Sequence, residues 1–292
     1  MEGEVKRSFS DEPGLSEVLF DFLETVFPGL PKAAKRARVL GATWESVSIP
    51  FILSKDGRIV SHVGVIELSM VLLGQTALVG AVHAVATHPG YRRRGYYRRL
   101  MEEVIEDCSA RYETLILLTG NPEYYEPFGF RVVQEHCFTV ECRSPGGADG
   151  LRLLDTRNAG DVAILNRLLE TREPVSQVVG VVREKAVFCF NEGGRPLHYA
   201  EDLDVIYCLE LEGARLKLYD AVAPNVPPLQ ELLKRIPQPV EEVTVFFAPD
   251  RLDIDTESTP YLLDHDGPSY LMVRGPFPPE GRAFTLPRPA RP

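Results

Sequence analysis

Val79-Gly80-Ala81-Val82-His83-Ala84-Val85-Ala86-Thr87-His88-Pro89-Gly90-Tyr91-Arg92-Arg93-Arg94-Gly95-Tyr96-Tyr97-Arg98-Arg99 decides the fold of this 292-residue chain. Its first nine residues are an apolar run rich in valine, enough for one strand. His88-Pro89-Gly90-Tyr91 stops that strand as a turn. Beyond the arginines, apolar residues recur at Tyr97, Leu100, Met101, Val104, Ile105 and Cys108, intervals that place all six on one helical stripe. Arg98, Arg99, Glu102, Glu103, Glu106 and Asp107 fall off the stripe. The unit is strand, tight arginine-glycine loop and amphipathic helix.

The loop is electrostatically odd. Five arginines lie between Arg92 and Arg99, where a helix begins. A helix N-terminus is already positive, so each cation there is unfavourable by roughly 0.3–1 kcal/mol. The free N–H groups of the first turn also need acceptors. A phosphate or pyrophosphate relieves both problems, and Gly95, lacking Cβ, lets the backbone approach one closely. The alternative is a solvated basic turn.

These residues carry a resemblance. Arg92-x-x-Gly95 after a strand ending in Val85-Ala86-Thr87 resembles the acyl-CoA pyrophosphate loop of the GNAT N-acetyltransferase superfamily, whose pattern is Gln/Arg-x-x-Gly-x-Gly/Ala. The sixth position here is Tyr97, where that pattern keeps a small residue. The Arg-Arg-Arg-Gly run followed by two larger residues is similar to the enhanced-intracellular-survival (Eis-like) branch. A second stretch, Leu118 to Phe130, contains Tyr125-Glu126-Pro127-Phe128-Gly129-Phe130 and resembles the superfamily's Tyr-x-x-x-Gly-Phe element, at the expected distance after the helix. Two motifs in order, on the right elements, make the resemblance specific.

The resemblance implies an α/β (α+β) GNAT fold: a mixed, mostly antiparallel central sheet flanked by helices. The order of elements agrees. Leu15, Val18, Leu19, Phe22, Leu23 and Val26 form a helical stripe over residues 14–29, and a second helix is predicted over Pro31–Leu40. Strands are predicted at Trp44–Leu53, Ile59–Leu73 and Thr76–Thr87, with turns at Lys55-Asp56-Gly57 and Gly74-Gln75. Thr114–Thr119 reads as a short buried strand and Phe128–Cys142 as further strands.

Arg143 to Gly150 has linker composition, which divides the chain into residues 1–145 and 146–292. In the second part Val162–Leu169 reads as a helix, and Val178–Phe190 as helix or strand. Asp204–Leu211 and Ala214–Val222 read as a hairpin, Pro227–Ile236 as a helix, and Val243–Phe247 and Tyr270–Val273 as strands before a proline-rich tail. Leu216 to Pro228 stands where a second GNAT-like unit would have its strand and phosphate loop, without arginines or glycine. The expectation is a degenerate GNAT-like domain unable to hold CoA; an unrelated α+β domain is the alternative.

Composition narrows the function classes. Apolar residues make up 44% and charged residues 25%, a globular balance, and no run approaches eighteen apolar residues. The N-terminal residues have no apolar signal core, so a cytoplasmic protein off the membrane is expected. A net charge of −10 argues against nucleic acid as the main partner. Five cysteines without a C-x-x-C pair imply neither a zinc site nor a disulfide framework. Cys108, on the helical stripe, reads as a small buried apolar residue.

The chemistry that the resemblance implies is direct acetyl transfer from acetyl-CoA, as co-substrate and without metal, to a primary amine. Backbone groups of Val85, Ala86 and Thr87 would pair with the pantetheine arm. Arg92, Arg93, Arg94, Gly95, Tyr96 and Tyr97 would receive the pyrophosphate, and Asn121 would touch CoA unless turn chemistry alone explains it. Tyr125, four residues before Gly129, is the candidate general acid, or else a packing aromatic beside Phe128 and Phe130. For the base, His83 (on the face of Val85 and Thr87 by strand alternation), Glu67 and a water chain stay open. The acceptor is an unidentified small-molecule amine, peptide N-terminus or lysine, with Phe20–Leu40 and Trp44–Phe51 bordering its site; the acidic chain favours cationic amines. A homodimer is compatible with this. The alternative is a catalytically silent CoA-binding regulatory or scaffold protein.

Overall fold

The computed structural model describes residues 5–264 and 268–292. Its first sheet grows from two tight hairpins. Strands β1 (Ser48–Lys55), β2 (Arg58–Leu72) and β3 (Gln75–Thr87) are antiparallel neighbours. The two-residue turns between them, Asp56-Gly57 and Leu73-Gly74, have all four φ values between 51° and 77°. That left-handed geometry matches the twist of the strands it joins. Leu73, a poor residue for it, is held by its N–H donating to the Val178 carbonyl at 3.0 Å.

Two helices precede the sheet, α1 (Leu15–Glu24) and α2 (Leu30–Val39). Trp44 to Ser46, expected as the start of a strand, forms a helical turn instead. Helix α3 (Tyr96–Ser109) buries Leu100, Met101, Val104 and Cys108 against β1–β3, as its stripe requires. Strand β4 (Thr114–Thr119) then runs parallel to β3.

The chain then departs from the order expected from sequence. Phe128 to Phe130 is turn, and the strands there are β5 (Arg131–Val132) and β6 (Glu135–Ser144). Residues 145–150 lie against the end of a later helix: the Gly147 N–H donates to Ile236 O at 2.7 Å and the Ala148 N–H to Lys234 O at 3.0 Å. A Cβ on Gly147 would fall 1.9 Å from the Lys234 carbonyl oxygen, so glycine here serves close approach. Next come β7 (Arg152–Leu153), α4 (Ala159–Thr171), β8 (Val179–Val181) and α5 (Lys185–Glu192). The 178–190 stretch, ambiguous in sequence, is thus a strand followed by a helix.

Strands β9 (His198–Ala200), β10 (Val205–Glu212) and β11 (Arg215–Val222), the short helix α6 (Leu229–Leu233), β12 (Val240–Val245), β13 (Glu257–Tyr261), β14 (Leu263–Asp264) and β15 (Pro268–Arg274) complete the chain. The second sheet has the order β13-β6-β12-β11-β10-β9-β7, and the first has β1-β2-β3-β4-β15-β14, with β5 on β15 and β8 on β2. Each sheet therefore takes a strand from the other part of the chain. β6, which precedes the linker, pairs with β12, and β15, which follows it, pairs with β4. A cut at 145/146 separates strands of one sheet.

The two sheets share a local plan. In the first, β2 is antiparallel to β3, β3 parallel to β4, and β4 antiparallel to β15. In the second, β10 is antiparallel to β11, β11 parallel to β12, and β12 antiparallel to β6. Each parallel pair parts company midway: β3 pairs with β4 only from Val79 to Val82, and β11 with β12 only from Arg215 to Leu218. Just past the second parting, Tyr219 and Phe246 stack at 4.7 Å and 13°, and the Arg288 guanidinium lies 3.6 Å from the Tyr219 ring centre. Just past the first lies a cavity.

Segment 284–292, a proline-rich tail by sequence, is an anchored strap. Arg288 bonds Glu192 at 2.8 Å and Glu210 at 2.9 Å, and Arg291 bonds Glu135 at 2.6 Å. Asn191 donates from Nδ2 to the carbonyls of Arg288, Pro289 and Arg291. Among the described residues no helix is long and apolar enough to cross a membrane.

Candidate active site

The cavity has a volume of about 510 Å³. Val82, His83, Ala84 and Val85 of β3 form one wall, and Leu117 to Asn121 with Tyr124 and Tyr125 form the facing one. Phe27, Leu30 and Ala37 of the helical region, Trp44, Phe190 and Asn191 of α5, and the strap residues Arg291 and Pro292 close the remainder. The bordering segments expected from sequence thus contribute, but α5 and the strap do not belong to them. Nothing local in the sequence marks those residues, because ion pairs with distant Glu135, Glu192 and Glu210 bring them in.

A bulge shapes the β3 wall. The pairing of β2 with β3 slips between His62 and Gly64, and Ala84 adopts φ 47°. One extra residue reverses the alternation, which corrects the expected common face of His83 and Val85. Val85 joins Val82 in the core beside α3, while His83 turns to Ser48 and Trp44. His62 donates from Nδ1 to Ala84 O at 2.8 Å and so holds the bulge. His83 Nε2 lies 3.0 Å from Ser48 Oγ, and its ring 4.5 Å from that of Trp44. Gly64 stands opposite His83 and makes room for it; a Cβ there would meet Nε2 at 2.4 Å.

Both histidines are electrically neutral at neutral pH. Burial lowers His62 to about 4, against the opposing pull of the Ala84 carbonyl. Burial, and then repulsion from a charged His62, holds His83 well below the ordinary histidine value. The expectation of a base near its unperturbed pKa is therefore corrected: burial leaves His83 little proton affinity.

Glu67 is elsewhere. It is exposed, sits opposite Gly80 in the register, accepts a hydrogen bond from the Tyr112 hydroxyl at 2.9 Å and does not line the cavity. The structure brings Tyr125 and His83 to one cavity and leaves Glu67 out.

Tyr125 is buried on the facing wall, with its ring at 6.0 Å from Tyr97 and 6.2 Å from Phe130, both edge-on. Burial pushes its phenol up to about 12, so it carries its proton throughout the physiological range. Its neighbour Tyr124 is exposed. Tyr97, the residue that departs from the family pattern, turns its ring inward to Tyr125 and Phe128 and donates its hydroxyl to Tyr124 O at 2.8 Å. It fastens α3 to the tyrosine turn. Asn121 is exposed at the cavity edge, and its N–H donates to Thr119 Oγ1 at 3.0 Å.

From Val85 the chain runs directly to the arginine loop. Ala86 is buried against α1, and Thr87 O accepts from Arg92 Nε at 3.2 Å. Arg92, Arg93, Arg94 and Gly95 are exposed, and Tyr96 is half-buried. Gly95 caps α3 at φ 83° with no side chain bonded to the free N–H groups of the first turn, and a Cβ there would meet nothing within 4 Å. An uncapped helix start with open space before it and three exposed guanidiniums fits a pyrophosphate.

Residues 15–133 match the family model of the acetyltransferase (GNAT) domain. That segment is similar to a GNAT acetyltransferase domain. Solved structures share its fold along nearly the whole length. A conserved protein of unknown function from Enterococcus faecalis V583 superposes with a TM-score of 0.60 at 14% identity, over 94% of this chain and 72% of that one. A GCN5-related N-acetyltransferase from Anabaena variabilis gives 0.55 at 16%, over 90% and 71%. Eis1 from Mycobacterium abscessus gives 0.53 at 14%, over 93% and 73%. No curated protein sequence matches the chain.

Proposed function

We propose that the protein transfers the acetyl group of acetyl-CoA directly to a primary amine. One observation carries this reading: the wall of a cavity lined by a protonated, buried tyrosine leads along β3 towards an uncapped helix start rich in arginine. Arg92, Arg93, Arg94 and the amides of Gly95, Tyr96 and Tyr97 hold the pyrophosphate. Backbone groups of β3 freed where it leaves β4, at Val85 and Thr87, align the pantetheine arm, with Asn121 at its edge. Acetyl-CoA supplies the activated acyl group.

In the transfer, the amine nitrogen forms a bond to the acetyl carbon, the C–S bond breaks, and the amine loses a proton. Tyr125 gives its phenolic proton to the leaving sulfur. His83, neutral and poor in proton affinity, positions the amine by hydrogen bonding, and the amine's proton leaves through water. The second sheet, built from β6 and the strands after residue 146 other than β8, β14 and β15, supplies a degenerate GNAT-like unit, a reading supported by the repeated antiparallel–parallel–antiparallel plan. Its own parting is filled by Tyr219, Phe246 and Arg288, and no arginine loop precedes α6. Removing the Tyr125 hydroxyl as Tyr125→Phe should lower kcat by about 10²–10⁴-fold, the usual worth of general acid catalysis, with acetyl-CoA binding unchanged. Thiol release measured beside calorimetry checks this; an unchanged kcat removes Tyr125 from the mechanism.

A further inference from the structure

Tyr97 stands where the superfamily pattern has a small residue, and its surroundings show what the larger one does. It is the second residue of α3, a helix fixed in the core by Leu100, Met101, Val104 and Cys108. The turn that carries Tyr125 consists of two successive 3₁₀ turns. They are closed by the Tyr125 N–H donating to Pro122 O at 2.9 Å and the Phe128 N–H donating to Tyr125 O at 3.0 Å. In such a turn residues three apart share one side. Tyr97 spans that side: its ring meets Tyr125 at 6.0 Å and Phe128 at 5.6 Å, at 86° and 88°. Its hydroxyl donates to Tyr124 O at 2.8 Å. Arg274 braces the far end of the turn, Nε to Phe128 O at 3.1 Å, and Tyr97 braces the end that bears Tyr125.

Tyr97 itself is kept from the reacting atoms. It does not line the cavity, and its hydroxyl proton is committed to a backbone carbonyl. What it can decide is where the Tyr125 ring stands. Acid catalysis depends on that placement, since a displacement of about 1 Å can cost about a hundredfold in rate. A small residue at this position would reach neither ring nor the carbonyl.

Resting on the acetyltransferase reading, we propose that Tyr97 is a positioning residue for the transfer: it braces Tyr125 from α3, so that the phenol meets the sulfur of acetyl-CoA. Its amide belongs to the uncapped helix start that takes the pyrophosphate. One residue thereby joins the hold on the donor to the acid that serves the donor's sulfur.

The test is a double-mutant cycle read by thiol release from acetyl-CoA, with the best used of phenethylamine, spermidine and kanamycin as acceptor. Tyr97→Leu removes ring and hydroxyl and should lower kcat about tenfold or more, with the calorimetric affinity for acetyl-CoA within about twofold of the natural protein. Tyr97→Phe keeps the ring and should recover all but about threefold, a loss typical of one hydrogen bond. In a Tyr125→Phe background both substitutions should change kcat by less than about twofold, because the ring they displace no longer gives a proton. A general loss of packing would instead lower kcat by the same factor in both backgrounds. That result, or an unchanged kcat in Tyr97→Leu, overturns the positioning role while leaving the acetyltransferase reading intact. Should Tyr97→Leu not fold, Tyr97→Phe completes the cycle with its threefold effect. An unchanged kcat in Tyr125→Phe removes the acid and its brace together. No thiol release with any of the three amines, despite acetyl-CoA binding, overturns the transfer reading as well.

Discussion

His62 and His83, with ring centres 6.5 Å apart behind the β3 bulge, tie the shape of the site to pH. Each is held below the ordinary histidine value in the folded protein. As pH falls through about 6.5, the unfolded chain takes up these protons first, so stability is full above that pH and drains away towards about 4, where folded His62 also protonates. The melting temperature should therefore drop by several degrees between pH 7 and pH 5, since about 1.4 kcal/mol is lost for each pH unit per histidine. His62→Gln, whose amide can still donate to Ala84 O, should flatten this slope in scanning fluorimetry; an identical slope in the variant would remove His62 as its source. The bulge itself was hidden in the sequence. Alternation along Val79–Thr87 cannot reveal one inserted residue, and so it put His83 and Val85 on one face.

Among the elements, those built on local periodicity were the readable ones. The stripe Tyr97, Leu100, Met101, Val104, Cys108 gave α3 within one residue of its start, and Asp56-Gly57 marked the first hairpin turn. The arginine loop was readable for another reason: so many cations at a helix start are unfavourable unless an anion binds. Two glycines separate function from packing here. Gly95 faces open space, so Gly95→Ala costs only its left-handed backbone, about 1 kcal/mol, yet puts a methyl group where the proposed pyrophosphate would approach. Acetyl-CoA affinity should fall about tenfold or more while the melting temperature shifts only a few degrees. Gly147→Ala drives its Cβ into the Lys234 carbonyl and should do the reverse, cutting stability and sparing affinity in the protein that remains folded. Calorimetry and thermal melts on both variants check the pair; matching profiles would refute the distinction.

At the scale of the whole molecule, the least legible feature was the exchange of β6 and β15 between the sheets. Strand partners far apart in sequence leave no periodic trace, and Tyr270–Val273 reads as a strand without saying whose. Without β15, β4 presents a bare edge of unpaired backbone groups. A chain ending at residue 262 should consequently aggregate or lose cooperative unfolding, and adding residues 263–292 back should restore it; a well-folded truncated chain on size exclusion would show that the exchange is dispensable. The strap has the same logic, since Arg288 and Arg291 find their carboxylates on α5, β10 and β6. The strap lines the cavity to which the arginine loop would deliver acetyl-CoA. Calorimetric titration of acetyl-CoA tests that delivery most directly, with the natural protein beside a variant carrying Arg92→Ala and Arg94→Ala. Binding to a single site, weakened about tenfold or more in the variant at unchanged melting temperature, is the expected result. No binding by the natural protein, or equal affinity in both, would contradict it.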